Sequence, residues 1–308
     1  MSGWIIDAHS HLWEELRGEV DGYEVRSLGG GKSTFMGEIR QMMPAYMADG
    51  RNTAEIFLSN MDYAGVAGAM VTQEYIDGNQ NDYLLKVKKD YPKRFKICGL
   101  AEFRKPGYLA GVQKIVADGF DAVKVPAQRL VSIPQRVYLT DREMMESFKL
   151  MEQNGVILSI DLADGDEQTG EMEEVLQECP NLKVAIGHFG MVTRPGWECQ
   201  IRLARYKNVM IESGGITWLF HKEFYPYSRA VHAIKEAAAM VGMEKLMWGS
   251  DYPRTMTAIT YTMSYDFIEK TRELCEEEKA MFLGRNAAKF YGFDTVIKSV
   301  RIKNMLEE

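Results

Sequence analysis

Short apolar runs, each ending at a polar residue or a glycine, recur eight times along this chain of 308 residues. They are rich in β-branched residues and apolar nearly throughout, which is typical of strands that helices cover on both faces of a parallel sheet. We therefore predict eight strands, at Trp4–Asp7, Ala67–Thr72, Phe95–Leu100, Ala122–Val125, Val156–Ile160, Lys183–Ile186, Val209–Ile211 and Lys245–Trp248.

The segments between these runs carry helix signals. A capping-box pattern at Thr140–Glu143 precedes apolar residues at helical spacing, and Gly155 is placed to end that helix. Residues Asn52–Glu55 open another helix in the same way, and a final helical stretch runs from about Glu269 to Tyr291. The alternation predicts an α/β fold, a single (β/α)8 TIM barrel over residues 1–308, with an open doubly wound sheet as the alternative.

The connection after the first strand is unusually long. Residues 12–51 precede the first helix and contain three consecutive glycines, Gly29–Gly31, beside alternating apolar residues. Long loops in compact domains are usually functional, and in a barrel this one would overhang the face where active sites lie. We predict that this insertion forms a β-hairpin lid.

Composition narrows the range of partners. The net charge of −7, without clustered Lys and Arg, argues against nucleic-acid binding and favours a small-molecule substrate. The four cysteines lie far apart and predict reduced thiols, which suits the cytoplasm. No basic leader and no run of about eighteen apolar residues occurs, so we expect neither export nor membrane insertion. A homo-oligomer is compatible with exposed barrel helices, which commonly pair.

Two histidines stand at the end of the first predicted strand. His9 and His11 are two residues apart, so their side chains point to the same face, together with Asp7. Imidazoles this close need polar partners and repel each other once protonated, whereas a divalent metal ion uses both as ligands. Two surface histidines at a strand end are the alternative interpretation.

Polar residues recur at the ends of other predicted strands. They are Lys124 in the fourth strand, Asp161 after the fifth, His188 after the sixth and Asp251 after the eighth. Because the carboxyl ends of barrel strands meet at one mouth, we expect these side chains to join the histidine pair in an active site.

Five segments resemble the amidohydrolase superfamily, and in particular its amidohydrolase-related family. They are Ile6–His11, Met61–Val66, Gly187–Gly190, Gly249–Pro253 and Gly284–Gly292. The family includes lactonases and nonoxidative decarboxylases such as that of aminocarboxymuconate semialdehyde. The resemblance implies a barrel that binds one divalent ion, zinc or manganese, although some lactonases of the family act without metal.

The resemblance also implies roles for the residues at matching positions. His9 and His11 would be metal ligands, and Asp251 a ligand that also accepts a proton from water. His188 would orient or protonate groups near the metal. Many family members have a histidine where this chain has Asp161. An aspartate there can bind a hard cation, which would favour manganese, or it can hold His188 or the substrate.

Further residues near the strand ends are candidates for substrate binding. Lys124 can bind a carboxylate or a developing oxyanion, and a salt bridge to a nearby aspartate is an equal alternative. Arg194 and Arg254 follow the sixth and eighth strands and can grip a carboxylate with two hydrogen bonds. Trp13 and Trp218 can contribute to an aromatic wall.

The preferred function is metal-dependent hydrolysis of a small lactone, or of a related carboxylated molecule, by metal-activated water. Residues 7–13 and the segment through Pro195 resemble the lactonase branch. Nonoxidative decarboxylation of an aromatic or unsaturated acid is the alternative, although several decarboxylases of the family have glutamate at the position of His9. The third hypothesis is a catalytically inactive paralogue that only binds a ligand. It is motivated by Asp161, which stands where many family members have a histidine.

Overall fold

The computed structural model describes residues 4–295 and 303–306. In these residues the strands are β1 (Ile5–His11), β2 (Arg17–Val20), β3 (Tyr23–Gly29), β4 (Lys32–Phe35), β5 (Glu38–Gln41), β6 (Val66–Thr72), β7 (Phe95–Leu100), β8 (Ala122–Val125), β9 (Ile157–Ile160), β10 (Val184–Ile186), β11 (Val209–Glu212) and β12 (Leu246–Met247). Strands β1 and β6 to β12 lie in chain order in one parallel sheet. All eight predicted strands are confirmed.

The sheet closes into a barrel between its first and last strands. Beyond β12 the chain runs beside β1, where the Ala8 amide donates a hydrogen bond to the Trp248 carbonyl at 2.9 Å. One residue further along β1, the Asp251 amide donates to the His9 carbonyl, also at 2.9 Å. The closure confirms the barrel and brings the segment after β12 next to the histidine pair.

Helices connect the strands and surround the barrel. They are α1 (Ala54–Ala64), α2 (Asn81–Asp90), α3 (Tyr108–Asp118), α4 (Arg142–Asn154), α5 (Thr169–Glu178), α6 (Trp197–Arg202), α7 (Ile216–Leu219), α8 (Ser228–Val241), α9 (Asp266–Lys270), α10 (Glu276–Ala280) and α11 (Asn286–Tyr291). In α4, the apolar residues Met144, Phe148 and Met151 are fully buried, as their helical spacing requires. In the described part of the chain, no helix has the length and apolar character needed to cross a membrane.

Three local predictions about the helices were wrong. The cap residue of α1 is Thr53 rather than Asn52, and no side-chain hydrogen bond caps this helix. Helix α4 has no capping box, because the Glu143 carboxylate instead accepts hydrogen bonds from the amides of Gly107 and Leu109, at the start of α3. The final stretch is not one helix, because Thr271–Cys275 separates α9 from α10 and a π-helical turn at Met281–Arg285 leads into α11. The spacing of apolar residues does not show that Glu143 bonds to the start of a neighbouring helix, nor that a helical stretch contains a π-helical turn.

The long connection after β1 folds as a sheet of its own. Strands β2 to β5 pair antiparallel in chain order, so the predicted hairpin is in fact a four-stranded sheet. Its inner side packs on a small apolar cluster formed by Trp13, Leu16, Val20, Val25, Met43 and Met47. Its role as a lid and the assignment of the chain to a single domain stay predictions.

Gly155 offers a test of how the helices turn back into the barrel. It follows α4 in the left-handed region, with φ of 66°, and no atom lies within 4 Å of where a Cβ would stand. Gly155→Ala should therefore lower the free energy of unfolding by about 1 kcal/mol, because of backbone strain alone. Urea unfolding measures the change.

Gly170→Ala is the matched control for this measurement. Gly170 lies within α5 without a positive φ, and its surroundings are equally open. There the same change should stabilise the protein by a few tenths of a kcal/mol, because alanine is the better helix former. Effects of the same sign at both positions would contradict the assigned conformation of Gly155.

Candidate active site

The carboxyl end of β1 carries the two histidines side by side. The strand runs past its predicted end at Asp7, so both histidines belong to it. His9 and His11 are buried, and their Nε2 atoms lie 3.1 Å apart. Asp251 places Oδ1 at 3.2 Å from Nε2 of His11 and at 3.8 Å from Nε2 of His9. One donor atom from each of the three residues lies within 4.8 Å of the other two.

Carboxylates behind the rings fix the orientation of both imidazoles. His9 Nδ1 is 2.6 Å from the Glu212 carboxylate, and His11 Nδ1 is 2.7 Å from that of Asp77. We therefore assign the proton of each ring to Nδ1, which leaves the two Nε2 lone pairs facing each other and Asp251. Two lone pairs and a carboxylate oxygen this close repel one another unless a cation lies among them. The three residues thus fit a divalent ion such as zinc or manganese.

Sequence reasoning missed both of these carboxylates. Glu212 is the last residue of β11, one position beyond the predicted end of that strand at Ile211. The strand-end rule that identified the other site residues would have found it with the correct boundary. Asp77 lies in the loop after β6 and carries no such signal.

Asp251 is held in place from its far side as well. Its backbone is left-handed, with φ of 57°. The Trp218 indole donates a hydrogen bond to Oδ2 at 3.0 Å, and the Arg254 guanidinium lies 3.6 Å from Oδ1. These contacts leave Oδ1 directed at the histidine pair.

Neighbouring charges decide the protonation of this cluster. Burial opposes the ionisation of Asp77 and Asp251, but the Arg254 guanidinium beside both carboxyl groups, together with His11 at Asp77, outweighs burial and lowers the pKa of both. Burial lowers the pKa of His9 despite the neighbouring carboxylate. Two ionised carboxylates and a neutral His9 are the protonation states that metal binding requires.

A buried ion pair joins the ends of β8 and β9. Lys124 Nζ donates to Asp161 Oδ1 at 2.6 Å, and Asp161 Oδ2 lies 3.6 Å from Nε2 of His188. Burial opposes the charge on Asp161, but Lys124 and His188 hold its pKa well below its usual range. Burial also opposes the charge on His188, but the effect of Asp161 is larger and raises the pKa of His188 to about 9. Asp161 is not one of the three clustered residues, so its role as a metal ligand stays a prediction.

His188 reaches the histidine pair from a tight turn after β10. Its φ is 53°, its Nδ1 is 2.9 Å from the Gly214 carbonyl, and its ring centroid lies 4.7 Å from that of His9. Gly187, just before it, permits this close packing, because a Cβ there would stand 2.1 Å from Asp161 Oδ1.

Some of these residues line a cavity of about 300 Å³ in the mouth of the barrel. Its walls are formed by His11, Glu74, Ile76, Gln128, Arg129, Asp161, Leu162, Asp164, Gly187, His188, Met191, Trp218, Asp251 and Arg254. No described residue of the inserted sheet lines this cavity. The chain is acidic overall, yet two arginines face this space.

The four predicted substrate-binding residues lie in different places. Arg254 lines the cavity, whereas Lys124 is fully buried and already paired. Trp13 is buried outside the cavity, with the Arg254 guanidinium 6.0 Å from its ring centre, so it supports that arginine from behind. Arg194 is largely exposed and lies 3.7 Å from Asp164 at the rim.

The sequence places this barrel in a known family. The profile of the amidohydrolase family matches residues 6–293, and the chain belongs to that family. This confirms the resemblance drawn from the five motifs. No protein among the curated ones matches the chain by sequence.

Solved structures of low sequence identity share the fold. A probable 2-pyrone-4,6-dicarboxylic acid hydrolase from Acinetobacter baumannii is 17% identical, with a TM-score of 0.65 over 94% of this chain and 99% of that chain. A zinc-bound amidohydrolase from Burkholderia multivorans is 15% identical, with a TM-score of 0.68 over 94% and 99%. The 5-carboxyvanillate decarboxylase from Novosphingobium aromaticivorans, complexed with manganese, is 17% identical, with a TM-score of 0.55 over 77% and 79%.

Removing His11 tests the metal centre. His11→Ala should purify without stoichiometric metal, because it takes away one of three converging donors. Elemental analysis of the purified protein measures the metal content. The control is His232→Ala, since His232 lies exposed on α8 and pairs only with Glu236 among the described residues. Wild-type protein that holds no metal, even after addition of zinc or manganese, would contradict the metal centre.

Glu212→Gln tests the orientation of His9 separately. The substitution keeps the shape of the side chain but removes the charge that holds the Nδ1 proton of the ring. We expect metal affinity to fall by about 10- to 100-fold, as is typical for the hydrogen-bond partner of a ligating histidine. Competition with a chelator measures the affinity, and an unchanged value would show that His9 is oriented without Glu212.

Proposed function

We propose that this protein hydrolyses a small lactone that carries a carboxylate, with one divalent metal held by His9, His11 and Asp251. The proposal rests on the placement of Asp251, whose buried and ionised carboxylate faces both histidines and also lines the cavity. A carboxylate in this position can accept a proton from water as the water attacks an acyl carbon. When bound, a divalent ion supplies Lewis-acid polarisation of the ester carbonyl and favours deprotonation of water.

The cationic lining of the cavity supports a carboxylated substrate. Arg254 is anchored by Asp77, and Arg129 by Glu74 at 3.3 Å. Each guanidinium has five N–H donors in a rigid fork, so these bonds fix the group and leave further donors for a ligand. A carboxylate bound there would place the rest of a small substrate against His188 and Asp251.

His188 is suited to serve the leaving oxygen. Opening a lactone breaks the bond between the acyl carbon and the ring oxygen, and that oxygen then needs a proton. His188 lines the cavity, and the ionised Asp161 beside it favours the protonated imidazole. His188 would donate this proton, while Asp251 holds the proton taken from water. Lys124 keeps Asp161 ionised and in place.

The solved structures are compatible with this reaction. The substrate named for the A. baumannii protein is a cyclic ester with two carboxylates, and the match covers 99% of that protein. The match to the manganese-bound decarboxylase covers 79% of that protein. At these identities the likeness establishes the fold alone, so the substrate class rests on the cavity and its charges.

Nonoxidative decarboxylation is the second candidate. His188 favours it, because its ring lies 4.7 Å from that of His9, close enough to the cluster to deliver a proton to a substrate carbon. In that reaction the three clustered residues would hold the metal, and the substrate carboxylate would leave as carbon dioxide. An inactive binding protein is the third candidate, and it requires that neither reaction is detected.

The Asp251→Asn variant tests the proton acceptor. We expect kcat to fall by about 10² to 10⁴, the usual contribution of a general base, while part of the metal content is retained. Asp90→Asn is the control, because it makes the same change at an exposed position at the end of α2. Full turnover by Asp251→Asn would contradict its assigned role.

A product assay separates the two enzymatic candidates. Metal-loaded protein is incubated with a panel of carboxylated lactones and a panel of aromatic acids. We expect the protein to release acid from a lactone, which a pH indicator detects, and to form no carbon dioxide. Release of carbon dioxide from an aromatic acid, with no lactone hydrolysed, would replace the proposal by the second candidate.

A further inference from the structure

The inserted sheet has one covered edge and one open edge. At β2, the amides of Arg17 and Glu19 donate to the carbonyls of Asp77 and Tyr75, at 3.4 and 3.0 Å, and this covers that edge. At the opposite edge, every residue of β5 (Glu38–Gln41) is exposed. Within the described chain, no backbone group outside β4 bonds to this strand. An open edge of this kind is a template for another strand.

Exposed apolar side chains concentrate on the same insertion. The large hydrophobic residues exposed there are Tyr23, Leu28, Met36, Ile39 and Tyr46. Ile39 stands within the open strand and is 67% exposed. An exposed apolar side chain in an open edge strand can be covered by a partner strand that pairs with that edge.

The turn before β5 fixes which backbone groups face outward. Met36 and Gly37, both with positive φ, form a two-residue turn, and Phe35 pairs with Glu38 across it. Residues that flank such a turn exchange both backbone hydrogen bonds, and the pattern alternates along an antiparallel ladder. The N–H and C=O of Ile39 therefore point away from β4, toward the open side.

The charges beside Ile39 complement one another under two-fold symmetry. When two β5 strands pair antiparallel with Ile39 opposite Ile39, Glu38 of each copy faces Arg40 of the other. Two such charge pairs therefore form. Opposite charges directly across two strands stabilise the pair, and like charges destabilise it. Both side chains are more than half exposed and project on one face, where they lie 2.9 Å apart within a chain. A parallel pairing in register would instead set Glu38 against its own copy.

We propose that the protein forms a two-fold dimer in which two β5 edges pair antiparallel about Ile39. The partner is a second copy of this chain, because the edge is complementary to itself in both backbone register and charge. The dimer joins two four-stranded inserted sheets into one continuous sheet. It also brings the two Ile39 side chains together and removes them from water.

Charge reversal tests this register. Glu38→Arg sets Arg against Arg in both cross-strand pairs, and Arg40→Glu sets Glu against Glu. Each single variant should raise the dimer dissociation constant by about thirtyfold, because two pairs each change by about 1 kcal/mol. Mixing the two variants restores opposite charges in both pairs and should restore the dimer. Glu24→Arg, an exposed change on β3, is the control.

Sedimentation velocity of the full chain at micromolar concentration measures the mass. We expect wild type and the mixture at twice the 35.1 kDa of one chain, and each reversal shifted toward 35.1 kDa. Ile39→Pro is the second disruption, because it removes an outward N–H without breaking the ladder to β4. A monomeric wild type, or a dimer that survives all three changes, would overturn the proposal. A mixture that stays monomeric would overturn the pairing about Ile39.

Discussion

The closure of the barrel between β1 and the segment after β12 is the constraint on which the site depends. Asp7 is fully buried there, and it accepts hydrogen bonds from the amide and hydroxyl of Ser250 and from the Tyr261 hydroxyl. Burial raises the pKa of Asp7 to about 7, although these bonds favour the ionised form. Because His9 and Asp251 follow these residues closely in the chain, the same bonds set the distance between the groups that can bind metal.

Buried charge at the mouth of the barrel is arranged in pairs. Lys124 is matched by Asp161, Arg254 by Asp77, and the histidine pair by carboxylates behind it. Loss of one partner from such a pair costs more than the pair contributes, since it leaves a charge without compensation in a region of low polarity. The pairs therefore explain why the mouth can hold so many ionisable groups and keep one arrangement.

The sequence allowed the strands and the central cluster to be predicted, because both follow local rules. Strands covered on two faces are apolar throughout, and residues at their carboxyl ends meet at one mouth, which located His9, His11 and Asp251. The orienting carboxylate of Asp77 was not predictable, because it lies in the loop after β6 and not at the end of a strand. The direction in which a side chain points was not predictable either. Trp13 follows His9 and His11 closely in the sequence, yet its ring packs behind Arg254.

The volume of the cavity limits the size of molecule that this site can enclose. Its volume of about 300 Å³ is at the lower end of the range found for ligand pockets. A cavity of this size suits a small molecule such as a single substituted ring. A larger compound would have to present a single terminal ring, with the remainder of its structure outside the barrel.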